Sequence, residues 1–477
     1  MAKDLRTYLR ELSERTPDQL KVVDQEVNPR FGITGYAAKL AEQGQYPGLL
    51  FTNVEGADPD ISCISNLLTD YDRIALYLDC DVQDIPRVYG ERLNNKVAPV
   101  VVERESAPVK EVVLRGDEID LGKLPIPVHN RLDGGPYLSA GVMVIKDPET
   151  NITNAGIYRH HIFGKNEMGV WFLGAHHGGL IFNKYKKAGK PAPIAIVLGH
   201  HPAFVMGAVS RLQGMGGEYE AAGALMGEPL ELVKAEMSDL MVPARAELVL
   251  EGEILPDEMH PEGPFGEWPG HYLGGGSVPL IRITCITRRK HAIFQDIVAS
   301  GREHLVVGAV PRMGSIYQAV KDAVPSLKSV NVPHYCRMNC YLSLDKERDS
   351  DVKKAAFAAL NTEQENLRAI VVVDSDINVF NGEEVAWAMG TRFDAVNDLT
   401  VIPKWNGPGG LLPTNWEYLP DGTHKAKMSS AVIVDATKPA PPIPYPERTR
   451  VPKEFADAAD VKAIRELTRE EKGKWFD

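Results

Sequence analysis

From Val112 to about Ser300 the apolar residues come in short runs cut apart by turn residues, the pattern of a β-rich domain. Gly141-Val142-Met143-Val144-Ile145, Pro193-Ile194-Ala195-Ile196-Val197-Leu198 and Ile281-Arg282-Ile283-Thr284-Cys285-Ile286-Thr287 are apolar or alternating strands. Ala246, Leu248 and Leu250, interleaved with Glu247, Val249 and Glu251, predict a further strand, half buried. Strands at this spacing form a barrel or a sandwich, and barrel mouths are common ligand sites.

The flanking segments have another period. Leu5, Tyr8, Leu9 and Leu12 recur at i, i+3, i+4, i+7 and predict one face of a helix. Short apolar runs at Gly48 to Val54 and near Ile74 to Leu78 then alternate with helical stretches such as Val82 to Leu93. This predicts an N-terminal α/β module over 1–110, before a central β domain over 111–305. Ile316, Tyr317 and Val320 share a face of a connecting helix expected within 306–330. A second α/β unit is expected over 331–477: strand Met338 to Leu344, helix Asp351 to Leu360, strand Ala369 to Val373, helix Glu383 to Met389. The unbroken apolar run Ala369 to Val373 predicts burial on both faces. Pro439, Pro441, Pro442, Pro444 and Pro446 make an extended tether, and Phe455, Ala459 and Leu467 mark a terminal helix of the kind that docks on a partner subunit. A chain of 477 residues fits about two or three domains of ~150 residues each.

A formal charge of −12 and a pI near 5.6 repel phosphate backbones, and no basic stripe with interleaved aromatics is present, so nucleic acid is not expected as a partner. The five cysteines (Cys63, Cys80, Cys285, Cys336, Cys340) are scattered and odd in number, which fits a reducing compartment and core thiols. The first residues lack the apolar stretch of a signal peptide, and no apolar run approaches ~18 residues. A cytoplasmic protein with no membrane association is expected.

The densest chemical signal is Glu262-Gly263-Pro264-Phe265-Gly266-Glu267, within the Pro- and Gly-rich run Pro256 to Tyr272. Such a run predicts a shaped loop, because Pro lacks a donor and Gly loses much freedom in regular structure. Carboxylates at the two ends of a Gly-Pro-Phe-Gly turn can converge, and mutual repulsion beside apolar rings would push one pKa upward. The same residues also read as two solvated loop glutamates. Upstream lie Asn154-Ala155-Gly156-Ile157-Tyr158-Arg159-His160-His161, then Trp171 to Gly179, then Gly216-Gly217-Glu218-Tyr219-Glu220. Asn, His and Glu from these segments supply the mixed oxygen and imidazole set suited to Mn²⁺ or Mg²⁺. The pairs His160-His161, His176-His177 and His200-His201 read either as ligands or as exposed strand ends. Arg159 reads as a surface cation alone, or, with Glu262 and Glu267, as a two-pronged clamp for a substrate carboxylate.

Taken in order, Asn154-x-Gly-x-x-Arg159, the His176 segment, Glu218-Tyr219 with Ala222-Gly223, and Glu262-Gly-Pro-Phe-Gly-Glu267 resemble the UbiD family of reversible decarboxylases, which use prenylated FMN. The run Val373-Asp374-Ser375-Asp376-Ile377 with Trp387-Ala388 and Thr391-Arg392 is similar to that family's C-terminal domain, so the resemblance spans nearly the whole chain. It implies an α+β multidomain fold: the N-terminal α/β module, a central split β-barrel like that of flavin reductases, and a C-terminal α/β dimerisation domain.

The resemblance further implies that Asn154, His176 and Glu218 hold a divalent metal, Mn²⁺ or Mg²⁺, that bridges to the flavin phosphate, with K⁺ nearby. Ile157, Tyr158 and Arg159, with Ala175, His176, His177 and Gly178, fall where relatives line the cofactor. Arg159, Glu262 and Glu267 match the family's catalytic network, with Glu267 donating the proton that replaces carbon dioxide and Arg159 and Glu262 orienting substrate and cofactor. The implied substrate is an aromatic, heteroaromatic or α,β-unsaturated acid, with a flavin prenyltransferase supplying the cofactor and a homodimer or an assembly of dimers as the working form. The segment from Thr400 to Trp405 and on through Asn406 to Pro413 is expected to shape the pocket. Two other functions fit the same barrel: an FMN-dependent reductase, which leaves the Glu262 and Glu267 pair unexplained, and a non-catalytic metal-binding assembly subunit.

Overall fold

The computed structural model describes residues 2–172, 176–407, 411–421 and 423–476. Ala175 and the stretch 408–410 of the expected pocket segment lie outside the described residues. The chain divides into two compact units, 1–437 and 438–477.

The first unit opens with helix α1 (Leu5–Arg15), capped by the Asp4 carboxylate, which accepts from Thr7 N at 2.8 Å. Leu5, Tyr8, Leu9 and Leu12 are its buried face, as their spacing predicts, each burial worth about 1.5–3 kcal/mol. Strands β1 (Leu20–Val23), β2 (Gly48–Phe51) and β3 (Ile61–Ser65) form a small mixed sheet, whose fourth strand, Ala292–Gln295, arrives from far along the chain and runs parallel to β3. The apolar run at Ile74 to Leu78 belongs to helix α2 (Tyr71–Leu78), followed by α3 (Ile85–Asn94). In α2 every residue but Asp72 and Leu76 is buried, so periodicity is hidden by packing on several sides.

The central sheet has nine antiparallel strands: β4 (Val112–Arg115), β5 (Tyr137–Leu138), β6 (Val142–Lys146), β7 (Thr153–Ile157), β8 (His160–Ile162), β9 (Glu167–Val170), β10 (Ala192–Leu198), β11 (Leu248–Pro261) and, beyond it, Ser277–Arg288. Between β9 and β10 lies helix α4 (His177–Lys187), and between β10 and β11 lies α5 (Glu218–Met226). After β11 the short β12 (Phe265–Gly266) and β13 (Tyr272–Leu273) pair as a ribbon, and Ser277–Arg288 is β14. Spatially the order is β5-β8-β9-β14-β11-β10-β6-β7, with β4 on the end of β14. The sheet is a curled half-barrel, its end strands β5 and β7 unpaired with each other.

Two expectations for this sheet are corrected. The stretch Ala246 to Glu251 is buried on both faces, with Val249, Glu247 and Glu251 at 1% exposure or less, so it is not half solvated. The acids are tolerated because they are paired: Glu247 accepts from Arg6 Nε and Nη2 at 2.9 Å each, and Glu251 accepts from the Glu236 and Met237 amides at 2.8 Å. Pro256 to His260 is the exposed outer end of β11 and not loop, because a register shift between Ile254 and Met259 removes the ladder where Pro256 could not donate.

After strand β15 (Ala292–Gln295) comes the long helix α6 (Arg302–Ala323), with Ile316, Tyr317 and Val320 buried. The second α/β sheet follows: β16 (Leu327–Asn331), β17 (Asn339–Leu344), helix α7 (Ser350–Thr362), β18 (Ala369–Asp374), helix α8 (Gly382–Arg392), β19 (Leu399–Trp405) and β20 (Ser429–Ala436), in the order β16-β17-β18-β20-β19. Ile370 to Val373 are buried, in line with the apolar run. All five cysteines are free.

In the second unit the terminal segment is two short helices, α9 (Lys453–Ala458) and α10 (Arg469–Phe476), where one was expected. Phe455, Val461 and Ile464 are more than two-thirds exposed. Among the described residues no helix is long and apolar enough to cross a membrane.

Candidate active site

The turn Glu262 to Glu267 is held on a second turn, Asn130 to Gly134, by backbone contacts that its glycines permit. The Gly134 amide donates to the Pro264 carbonyl at 2.8 Å, the Gly266 amide to Asp133 Oδ1 at 2.9 Å, and Tyr137 Oη to the Gly263 carbonyl at 2.9 Å. Gly134 and Gly263 cross so closely that a Cβ on either would stand 2.4 Å from the other's Cα. Behind them Tyr137 stacks on His161 at 4.4 Å between centroids, and the Glu262 amide donates to the Gly276 carbonyl at 2.9 Å.

Arg159 emerges between β7 and β8 and meets this turn. Its Nε and Nη2 donate to the two oxygens of Glu262 at 2.9 and 2.7 Å, and its Nη1 donates to Glu267 Oε1 at 2.7 Å. The guanidinium also lies 4.4 Å from the centroid of the Trp171 ring and 5.1 Å from that of Phe265. It is a buried hub and not a surface cation. Burial works against its charge, but the bonds from Glu262 and Glu267 outweigh that and raise its pKa. Burial lifts the Glu262 carboxyl above the ordinary range, partly offset by Arg159. The two acids differ in access: the Glu262 side chain is 1% exposed and doubly bonded to Arg159, that of Glu267 17% exposed and singly bonded.

Asn154 and Glu218 come together from β7 and the first position of α5, with Asn154 Nδ2 donating to Glu218 Oε1 at 2.8 Å. Both are buried, burial raises the Glu218 pKa, and Asn154 Oδ1 has no partner among the described residues. An orphaned amide oxygen beside a buried carboxylate is the donor set of a hard divalent cation. His176 stands apart at the start of α4, exposed, with no hydrogen bond to either among the described residues. Enclosure by protein first, and Arg211 second, shift it toward the neutral form that metal ligation needs. Among the described residues no three His, Cys, Asp or Glu side chains form a metal-binding group.

Of the other expected contacts, Tyr158 is buried and its Oη accepts from the Gly178 amide at 3.1 Å, tying the Arg159 segment to the start of α4. Ile157 and His177 are partly buried at either side of this junction. His160, His161, His200 and His201 are buried, not exposed strand ends, and burial lowers each pKa, that of His161 to about 4. Asp133, Gly134 and Tyr137 position the turn, yet sequence reasoning gave them no role, and His161, read as a ligand or an exposed strand end, packs behind the turn instead. The run Leu132-Asp133-Gly134-Gly135-Pro136 was the available signal, as a tight turn ahead of the strand carrying Tyr137. A cleft of about 490 Å³ lined by Asp81, Asp84, Lys328 and Ser375 includes none of these site residues.

Comparison with known proteins gives the family. The model of the UbiD 3-octaprenyl-4-hydroxybenzoate carboxy-lyase Rift-related domain matches residues 100–303, and those of the family's N-terminal and C-terminal domains match 13–93 and 305–410. The phenolic acid decarboxylase of Sedimentibacter hydroxybenzoicus is 32% identical over 465 residues, covering 94% of each chain. Among solved structures, the UbiD-class enzyme HmfF from Pelotomaculum thermopropionicum in complex with FMN is 34% identical, with a TM-score of 0.86 over 96% of this chain and all of that one. An evolved dimeric form of HmfF in complex with prFMN has a TM-score of 0.83 at 32% identity, over 97% of this chain and 99% of that one. The chain is a carboxy-lyase and belongs to the UbiD family.

Proposed function

We propose that this carboxy-lyase reversibly decarboxylates an aromatic, heteroaromatic or α,β-unsaturated acid with prenylated FMN, Glu267 acting as the proton donor. The observation that carries the reading is the unequal sharing of Arg159. Glu262 takes both prongs of the guanidinium and is sealed in, so it fixes the cation's plane. Glu267 keeps one oxygen out of that pairing and retains solvent access, which lets it load and deliver a proton. Arg159 and Glu262 orient substrate and cofactor, and the Trp171 and Phe265 rings keep water from the guanidinium.

When bound, prenylated FMN supplies the electron sink for the charge left as carbon dioxide departs. The unpartnered Asn154 Oδ1 and the buried Glu218 carboxylate fit a Mn²⁺ or Mg²⁺ ion carrying the flavin phosphate, with His176 as third ligand and K⁺ beside it. Ile157, Tyr158, Ala175, His177 and Gly178 complete the cofactor contacts in this proposal. A C-terminal homodimer, or an assembly of dimers, in the cytoplasm belongs to the same reading. It is supported by β19, an edge strand with Val401 59% and Leu399 39% exposed, and by the dimeric form of HmfF. The division at 1–110, 111–305, 306–330 and 331–477 is kept as its domain plan.

The test is Glu267→Gln in protein purified from cells co-expressing a flavin prenyltransferase. Flavin absorbance should be retained, while carbon dioxide release from a panel of unsaturated and aromatic acids should fall by about 10²–10⁴. Wild-type turnover in that variant removes the assigned role.

A further inference from the structure

The turn bearing Glu262 and Glu267 rests on the turn Asn130 to Gly134, and that support is itself rooted by a buried pair which the chemistry above does not use. His129, one residue before the supporting turn, meets Asp296, the residue that follows β15 in the connection to α6. His129 Nε2 and Asp296 Oδ1 stand 2.9 Å apart, both side chains 1% exposed or less. Ser65 Oγ donates to Asp296 Oδ2 at 3.0 Å, and the Asp296 amide donates to the Ile64 carbonyl at 2.8 Å. Ser139 Oγ shares its one proton between Asp296 Oδ1 at 3.0 Å and the Ile297 carbonyl at 2.7 Å. A carboxylate only accepts, so the proton of the histidine bond is on Nε2 and that bond is the undivided one on Oδ1. His129 Nδ1 has no partner among the described residues, so Nε2 alone orients the ring by hydrogen bonding.

Three parts of the chain meet on this carboxylate: Ser65 from β3 of the N-terminal module, Ser139 just after β5, and His129 at the root of the supporting turn. A buried acid is costly to leave short of donors, so each of these directions is held firmly. From His129 the contacts continue outward without a gap. Asn130 Nδ2 donates to the Ala299 carbonyl at 3.3 Å, and the Asn130 amide donates to Asp133 Oδ2 at 2.7 Å. Asp133 Oδ1 in turn accepts from the Gly266 amide at 2.9 Å, next to Glu267 in the chain. A Cβ on Gly266 would stand 2.5 Å from Asn130 Nδ2, which leaves no slack between the two turns. The ribbon beyond cannot fix Glu267 by itself, because β12 and β13 have two residues each.

We propose that His129 and Asp296 are positioning residues for Glu267: through their hydrogen bond the N-terminal module sets where the proton donor stands relative to Arg159. This rests on the reading of Glu267 as proton donor given above. His129 and Asp296 act at a distance, through Asn130, Asp133 and the Gly266 amide. The N-terminal module is then part of the catalytic scaffold, and a change at the His129–Asp296 bond alters proton delivery before it alters binding of cofactor or substrate.

The experiment uses holoprotein from prenyltransferase-co-expressing cells: wild type, H129L, H129Q, D133N and the double variant H129L/D133N. Gln offers an amide N–H where Nε2 stands, whereas Leu fills the volume without a donor. Flavin absorbance, kcat, KM and the solvent deuterium isotope effect on kcat are read on an acid that the wild type decarboxylates, and amide exchange is followed over residues 262–267. H129L should keep its flavin and KM, lose about 10–100-fold in kcat, and show a larger isotope effect than wild type, since transfer from a displaced Glu267 becomes slow. A mere loss of folded protein would lower kcat and leave the isotope effect alone. H129Q should restore most of kcat, and H129L/D133N should fall within about threefold of H129L, because both changes cut one support. Equal losses in H129L and H129Q, losses that multiply in the double variant, or a loss carried by KM or flavin content overturns the proposal. Where H129L does not fold, D296N, which keeps the volume and weakens the bond, must show the raised isotope effect, and wild-type values in it overturn the proposal. Absence of carbon dioxide release from every acid sinks the decarboxylase reading instead. Amide exchange then decides the support: residues 262–267 should exchange faster in H129L than in H129Q with β10 unchanged, and equal exchange removes it.

Discussion

Gly134 and Gly263 touch backbone to backbone, and through that crossing the turn bearing Glu262 and Glu267 is fixed to the turn that leads into β5. The distance leaves no space for a methyl group. Gly263→Ala should therefore separate the two turns, lower stability by roughly 1–3 kcal/mol in urea unfolding, and cost more activity than that loss accounts for. An Ala variant with wild-type activity would show that the crossing does not set the Arg159 geometry.

Glu218 is a buried acid whose main partner is the Asn154 amide, so removing its charge should be cheap when no cation is bound. Glu218→Gln is expected to leave the melting temperature of cation-free protein unchanged or slightly higher. It should also abolish the rise in melting temperature expected when Mn²⁺ is added to the wild type. Elemental analysis of the purified variant checks the same point, with full Mn²⁺ content as the adverse result.

Among the described residues Glu303 pairs with no cation and its Oε2 has no partner, while its Oε1 accepts from the Leu68 amide at 2.7 Å and burial lifts its pKa to about 8. In the unfolded chain it titrates near ~4.3. Between those values the folded protein holds a proton that the unfolded chain has lost, so this group's stabilising contribution is full below the lower value and disappears as pH rises through the upper one. The wild type should lose on the order of a few kcal/mol across that window relative to Glu303→Gln, whose unfolding free energy should be flatter with pH. Parallel pH profiles would remove Glu303 as the cause.

Glu247, fully buried, gathers Arg6, the Ile293 amide at 3.1 Å and, at 3.5 Å, Arg289. Arg289 in turn binds the Asp4 cap of α1 at 2.9 Å. Glu247→Ala leaves Arg6 without its carboxylate and Arg289 with Asp4 alone, and should destabilise by about 1–3 kcal/mol. Limited proteolysis should then cut first near α1, and resistance equal to the wild type would argue that the helix is anchored by its apolar face alone.

Legibility in the sequence followed how much each element owes to its own residues. α1, β6, β10 and β18 carry their period or their apolar run plainly and form within a residue or two of expectation, whereas β11 and β14 run well past the stretches expected of them. α2 was obscured because burial on several sides erases the helical stripe. The burial of Glu247 and Glu251 was hidden because their cationic and amide partners come from Arg6, Glu236 and Met237, which no local pattern links to β11. At the site, Arg159, Glu262 and Glu267 stood out by type and motif. The Asn130 to Gly134 support did not, since a turn's sequence announces its shape but not what it will rest against.

The pairing of β15 with β3 brings residue 292 beside residue 61. A nascent chain emerging from the ribosome can assemble β1 to β3, but the edge of β3 stays open until more than 200 further residues have been synthesised. The amino-terminal module is thus completed by a strand translated after the whole curled sheet, and a fragment ending near residue 110 should expose that edge and self-associate.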